Sequence, residues 1–217
     1  MSIRVLIADD HPIVRDGLRL SLERSGRDVE VVGEAANGIM VLELAETCCA
    51  DVFILDITMP GLNGLDTARE LIKRRRTARI IILSLHDSRA LVEAALKIGA
   101  LGYLTKETAS SNVTEAVCEV YAGHLYLSPE IAHLVGDRRE PRGRMEGAIE
   151  PLPALTACER RVLQLIAEGR TTKEIATDLG RAVDTIRTHR KNLMAKLKIH
   201  KETDLVRFAV KEGISKL

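Results

Sequence analysis

Through its first 127 residues the chain alternates short runs of Val, Ile and Leu with segments of helical period, and this alternation restricts the fold more than any other feature. The runs are Ile3 to Ala8, Val29 to Gly33, Val52 to Leu55, Ile80 to Leu83 and Leu101 to Leu104. They lack a clean apolar–polar alternation, which marks strands covered on both faces. Between them Ile13, Gly17, Leu18, Leu20 and Leu22, then Leu65, Ala68, Leu71 and Ile72, recur at helical spacing. Five strands alternating with helices predict a doubly wound, parallel α/β sheet. Crossovers in such a sheet are right-handed, so helices cover both faces and functional loops gather at the strand C-termini.

From Ser128 to Pro153 the pattern breaks. Arg138-Arg139-Glu140-Pro141-Arg142-Gly143-Arg144 is charged and interrupted by Pro and Gly, and Pro151 and Pro153 bracket the far end. This reads as a solvated tether. From Leu155 onward the pattern is helical throughout. Charge divides along the same line. Residues 1–127 carry 14 Lys and Arg against 18 Asp and Glu, whereas residues 151–217 carry 14 against 8. An acidic first part and a basic last part suggest two tasks, the second involving a polyanion.

Composition excludes several classes. With 46% apolar and 29% charged residues, 217 residues afford a buried core and one or two domains. No run approaches the ~18–20 apolar residues of a membrane span, and Met1 leads directly into a strand pattern, so a secreted or membrane-spanning chain is not expected. Cys48, Cys49, Cys118 and Cys158 have no metal-ligand spacing and read as reduced thiols. Aromatic residues at 2%, with no Trp, argue against a stacking platform for single-stranded nucleic acid.

Three carboxylates fall at predicted strand ends: Asp9 and Asp10 after the first strand, Asp56 after the third. Ser84 ends the fourth, and Lys106 follows the fifth. A parallel sheet opens all of these ends on one edge. Carboxylates gathered there repel one another without a cation, and Mg²⁺ suits an all-oxygen site. A lysine and a hydroxyl opposite the metal would orient an incoming phosphoryl group. A nucleophilic aspartate, a metal, a cation and a hydroxyl are what aspartyl phosphorylation requires. A single strand-end Asp is ordinarily a helix cap; five matching groups on one edge are not.

The segments Leu6-Ile7-Ala8-Asp9-Asp10-His11, Leu55-Asp56-Ile57-Thr58-Met59-Pro60-Gly61-Leu62-Asn63-Gly64 and Gly102-Tyr103-Leu104-Thr105-Lys106 closely resemble the receiver domain of two-component response regulators. The resemblance spans residues 1–125 and implies a flavodoxin-like, five-stranded sheet. It implies Asp56 as phosphoacceptor, with Asp9, Asp10, Asp56 and the Thr58 backbone carbonyl around Mg²⁺. Lys106 would pair with the phosphoryl oxygens, Ser84 would hydrogen-bond the phosphoryl group, and Tyr103 would rotate inward as Ser84 moves. Pro60, Gly61 and Gly64 look like the loop supporting the acceptor, His11 reads as a surface or cap residue, and His86 lines the pocket. Glu107 stands where many receivers have proline. Asp56-Ile57-Thr58 also resembles the nucleophile motif of haloacid-dehalogenase-type phosphatases and transport ATPases. Those place it after their first strand, with further acidic motifs downstream, unlike the order here.

In the last third, Thr156-Ala157-Cys158-Glu159 has capping-box spacing before the stripe Val162, Leu163, Leu165 and Ile166. Helices follow over Thr172–Leu179, Val183–Leu197 and Asp204–Lys211, with a turn at Gly180. On a wheel of about 100° per residue, Ile186, Leu193 and Leu197 share a face with His189 or Arg190, and Asp184, Arg187, Thr188 and Lys191 cluster opposite. That leaves one face for packing and one able to reach a major groove. The run Leu155-Thr156-Ala157-Cys158-Glu159, with Glu168-Gly169, Lys173-Glu174-Ile175-Ala176, Thr185-Ile186-Arg187-Thr188-His189 and Leu197, resembles the LuxR/FixJ-type helix–turn–helix domain. The resemblance implies that Arg187, Thr188 and Lys191 meet double-stranded DNA, that Lys173 meets phosphate, and that Arg190 and His189 either touch the backbone or pack. Ala182 stands where a serine or threonine would cap the recognition helix, a loss of about 0.5–2 kcal/mol.

The whole reads as a cytoplasmic response regulator rather than an enzyme acting on a diffusible substrate: a receiver over 1–125, a linker over 126–151 and a four-helix DNA-binding domain over 152–217. The expected partners are a sensor histidine kinase, promoter half-sites in the major groove, and a second copy of the chain after phosphorylation. The rival reading is a constitutive DNA-binding module whose receiver serves only for protein contact.

Overall fold

The computed structural model describes residues 2–85, 88–135 and 155–215. The chain divides into two compact units, Met1–Asp137 and Arg138–Leu217. In the first, β1 (Ile3–Ala8), β2 (Val29–Ala35), β3 (Val52–Asp56), β4 (Arg79–Ser84) and β5 (Gly102–Thr105) alternate with α1 (Pro12–Glu23), α2 (Gly38–Thr47), α3 (Gly64–Arg74), α4 (Arg89–Ile98) and α5 (Ala109–Ala122). β6 (Tyr126–Leu127) and α6 (Pro129–Val135) follow. The strand order is β2-β1-β3-β4-β5-β6, and every pairing is parallel.

Strand residues alternate between two cores because successive side chains leave a strand on opposite faces. Leu6, Ala8, Phe53, Leu55, Ile80, Ile82 and Tyr103 pack under α2, α3 and α4 with Val41, Ala68, Leu71 and Val92. Val5, Ile7, Val52, Ile54, Ile81, Leu83 and Leu104 pack under α1 and α5 with Leu18, Leu22, Val113 and Val117. Both faces are thus apolar, which is why the strands read as continuous runs. β1 pairs with β2 on one side and β3 on the other. The chain reverses its winding between β1 and β3, and such sheets open a crevice at the carboxyl ends of the strands there.

Among the described residues the sheet has six strands, one more than the five expected. β6 is two residues long, too short to show a period. It pairs with β5 through Gly102 opposite Tyr126 and Tyr103 opposite Leu127. Ile131 of α6 is buried against the core that holds Tyr103. Residues 126–135, which the sequence reading assigns to the linker, therefore build onto the β5 edge of the sheet. The remainder of that linker, including Arg138–Arg144, lies outside the described residues, as does His86.

The described residues of the second unit form four helices: α7 (Ala157–Ala167), α8 (Thr172–Asp178), α9 (Val183–Leu197) and α10 (Glu202–Lys211). Val162, Leu163, Ile166, Ile175, Ile186, Leu193, Leu205 and Ala209 form its core. The expected capping box at α7 is present: the Glu159 N–H donates to the Thr156 hydroxyl at 3.2 Å, and the Thr156 N–H donates to the Glu159 carboxylate at 2.9 Å. α8 has a second box, from Thr171 and Glu174. Between α8 and α9 the backbone turns through Gly180 at φ +58°, a left-handed conformation that glycine adopts without penalty. Among the described residues no helix is long and apolar enough to cross a membrane.

Candidate functional sites

Three strand ends converge on one ion cluster. Asp9 follows β1, Asp56 is the last residue of β3, and Lys106 follows β5. The Lys106 ammonium lies 2.5 Å from Asp9 Oδ2 and 3.0 Å from Asp56 Oδ2. Both aspartates are fully buried, and the lysine side chain is 7% exposed. Asp10 stands beside them at 26% exposure, open toward solvent. Ser84 is buried at the end of β4, one residue beyond Leu83, the register partner of Asp56. Its carbonyl accepts the Lys106 N–H at 2.8 Å, tying the hydroxyl-bearing strand to the cation-bearing one. Thr58 is half-buried two residues after Asp56. Tyr103 is wholly buried and faces the α2–α3–α4 core.

The loop after Asp56 is wedged against its own strand. The Gly64 N–H donates to the Ile57 carbonyl at 2.8 Å. A Cβ on Gly64 would lie 2.1 Å from the Asp56 carbonyl oxygen. Asn63 caps α3 by accepting the Asp66 N–H at 2.9 Å, and its carbonyl accepts the Thr67 hydroxyl at 2.8 Å. Asp56 is thus carried on a strand end whose following turn is closed by hydrogen bonds on both sides.

The cluster carries more negative than positive charge. Two buried carboxylates and Asp10 face one lysine, a balance that calls for a further cation because carboxylates packed this closely repel. Asp9, Asp10 and His11 each offer a ligand atom, all within 4.8 Å of one another. The donors are mostly carboxylate oxygens, which suits a hard divalent ion such as Mg²⁺. His11, expected as a surface or cap residue, is exposed at the N-cap position of α1, and its Nδ1 lies 3.2 Å from Asp9 Oδ1 and 2.9 Å from Asp10 Oδ1, a contact that the sequence does not announce.

In the second unit, α9 presents Asp184, Arg187, Thr188 and Lys191 to solvent and buries Ile186 and Leu193, as the helical wheel predicts. The Arg187 guanidinium rests 2.7 Å from Asp184 Oδ1, and the Thr188 hydroxyl donates to the Asp184 carbonyl at 3.0 Å. Lys173 is exposed in the first turn of α8. Arg190 differs: it donates to the Thr172 hydroxyl at 2.9 Å and pairs with Glu202, so it joins α9 to α8 and α10. His189 contacts the Cys158 sulfur at 3.5 Å and is half-buried against α7. Ala182, the N-cap of α9, makes no side-chain cap bond, and Asp184 lies in the first turn of the helix.

Residues 5–118 match the family model described as the response regulator receiver domain, and residues 153–209 match that of bacterial regulatory proteins, luxR family. The transcriptional regulatory protein MctR of Rhizobium johnstonii is 38% identical over 213 residues, 98% of this chain and 95% of that protein. Response regulator UvrY of Escherichia coli is 32% identical over 213 residues, with 98% and 95% covered. Among solved structures, that of two RcsB dimers bound to two parallel DNAs is similar at a TM-score of 0.58 and 28% identity, covering 96% of this chain and 98% of that one.

Proposed function

We propose that phosphorylation of Asp56 governs DNA binding by this protein, because the chain belongs to the LuxR family of two-component response regulators. It is a response regulator with a DNA-binding domain and not a classical enzyme. Its own chemistry extends to the making and breaking of one aspartyl phosphate. The observation that carries the reading is the buried Asp9–Lys106–Asp56 cluster at the carboxyl edge of the sheet.

In the proposed reaction an Asp56 carboxylate oxygen attacks the phosphorus of a phosphohistidine on a sensor kinase. The P–O bond forms as the P–N bond breaks, and the imidazole leaves. Lys106, already within 3.0 Å of Asp56, exchanges a carboxylate partner for a phosphoryl oxygen. The Ser84 hydroxyl supplies a second donor from the adjacent strand. Asp9, Asp10, Asp56 and the Thr58 carbonyl would hold Mg²⁺, which supplies charge neutralisation at the phosphoryl group when bound. Drawing Ser84 and Lys106 toward the new phosphate pulls on the ends of β4 and β5, and Tyr103, in β5, is the residue through which the change reaches the α4 face.

The output is a transcription-regulating one, in the cytoplasm. Arg187, Thr188 and Lys191 of α9 enter the major groove, and Lys173 contacts phosphate. Arg190, held by Thr172 and Glu202, orients α9 rather than reading bases. Phosphorylation favours a homodimer whose two α9 helices meet half-sites about 34 Å apart, one turn of DNA. Likeness to a DNA-bound dimer over nearly the whole chain supports this arrangement.

Intact-mass spectrometry after incubation with acetyl phosphate tests the phosphoacceptor. Wild type should gain one phosphoryl group in the presence of Mg²⁺ and lose the ability on chelation, and Asp56→Asn should gain none. An equal adduct on Asp56→Asn would contradict the assignment.

A further inference from the structure

We infer that Arg15 is a positioning residue for the acidic pocket, setting the peptide between Asp9 and Asp10 so that both carboxylates face the cation. The inference rests on the phosphoacceptor reading above and adds to it a residue outside the pocket. Arg15 lies in the first part of α1, and its Nη1 donates to the Asp9 carbonyl oxygen at 2.7 Å. Its Nε donates to Glu34 Oε2 at 3.2 Å, and Arg19 Nε lies 3.2 Å from the other Glu34 oxygen. Glu34 is the penultimate residue of β2. One guanidinium therefore ties together the carboxyl ends of β1 and β2 and the start of α1.

The contact matters because of what that carbonyl belongs to. The Asp9 oxygen lies in the rigid plane that joins Asp9 to Asp10. Holding it fixes ψ of Asp9 and φ of Asp10, and with them the direction in which the Asp10 side chain leaves the backbone. Every other handle on Asp9 is taken by a different group. Its N–H donates to the Ala35 carbonyl at 3.1 Å, its Oδ1 accepts the His11 N–H at 2.9 Å, and its Oδ2 meets Lys106. α1 has no side-chain N-cap bond and no acidic residue in its first turn, so the turn carrying these ligands is held by the Asp9–His11 bond and, from one helical turn further on, by Arg15. Its side chain is only 18% exposed, and Glu34 balances its charge, so the bond to Asp9 is shielded from solvent.

Outer groups that orient metal ligands typically change metal affinity by about 10–100-fold when removed. Titration calorimetry with Mg²⁺ on the unphosphorylated full chain therefore separates the possibilities. Arg15→Met, which keeps the length of the side chain without its donors, should raise the Mg²⁺ Kd at least about ten-fold. Arg15→Lys, with one donor able to reach the carbonyl, should recover much of that loss. In the acetyl phosphate reaction, Arg15→Met should need more Mg²⁺ for half-maximal rate and keep the maximal rate at saturating Mg²⁺. An unchanged Kd in a folded Arg15→Met protein overturns the inference. If Arg15→Met does not fold, Glu34→Gln decides: it loosens Arg15 and should raise the Kd by a smaller factor, and an unchanged Kd there overturns the inference. Absence of Mg²⁺ binding in wild type would instead defeat the phosphoacceptor reading on which it depends.

Discussion

Gly64 occupies a position with no space for even a methyl group, since a Cβ there would sit 2.1 Å from the Asp56 carbonyl oxygen and 2.8 Å from its carbon. The neighbour is backbone, so relief requires the β3 end itself to move. Gly64→Ala should destabilise the first unit by about 1–3 kcal/mol, seen as a lower urea midpoint, and should slow phosphorylation of Asp56 by displacing it. At this scale the strand-end residues were legible in the sequence because they are fixed by topology. A parallel sheet brings Asp9, Asp56 and Lys106 to one edge, and the order β2-β1-β3-β4-β5 sets them close together. The contacts of His11 and Arg15 with Asp9 were not legible. A residue at a helix N-cap or one turn in can face solvent or the sheet, and only the path of the turn decides which. Arg190 shows the same limit: the helical wheel sets it near the packing face, and its bonds to Thr172 and Glu202 depend on where two other helices end.

At the scale of elements, the second unit hangs on the start of α7. Glu159 closes the capping box with Thr156 and also takes the Lys196 ammonium at 2.7 Å, joining α7 to the last turn of α9. The hydrogen bond from Lys196, followed by those from Thr156, holds the Glu159 carboxyl below its ordinary value of 4.5. A depressed carboxyl pKa stabilises the fold above the unfolded-state value and loses that contribution as pH falls through the folded value. Lys196→Met should therefore melt at a lower temperature than wild type at pH 7, and the gap should close as the pH drops below 4.5. A gap that persists unchanged in acid would place the effect in packing of the lysine stem. The capping box was legible because it is a four-residue pattern, whereas Lys196 lies 37 residues away, and nothing local announces the pairing. β6 escaped notice for the opposite reason, being too short to carry a period. α6 did have a local signal, Pro129 after Ser128 at a helix start.

For the molecule as a whole, the charge split found in the sequence follows the division into two units. The acidic unit holds the buried Asp9–Lys106–Asp56 cluster at the carboxyl edge of its sheet. The basic unit presents Arg187, Thr188 and Lys191 on an exposed helix face. Both family assignments were legible because their motifs lie at strand ends and helix starts, where chemistry leaves little choice of residue. How a phosphate in one unit alters the other was not legible, since the joining residues have no periodic pattern. The central claim is that phosphorylation of Asp56 controls DNA binding. The most direct test is fluorescence anisotropy on a duplex selected from a random pool by the phosphorylated protein, at fixed salt, with and without acetyl phosphate and Mg²⁺. Phosphorylation should tighten the affinity at least about ten-fold, a difference of about 1.4 kcal/mol, and Asp56→Asn should show no response. Equal affinity of phosphorylated and unphosphorylated wild type would contradict it and leave a DNA-binding module whose receiver serves another purpose.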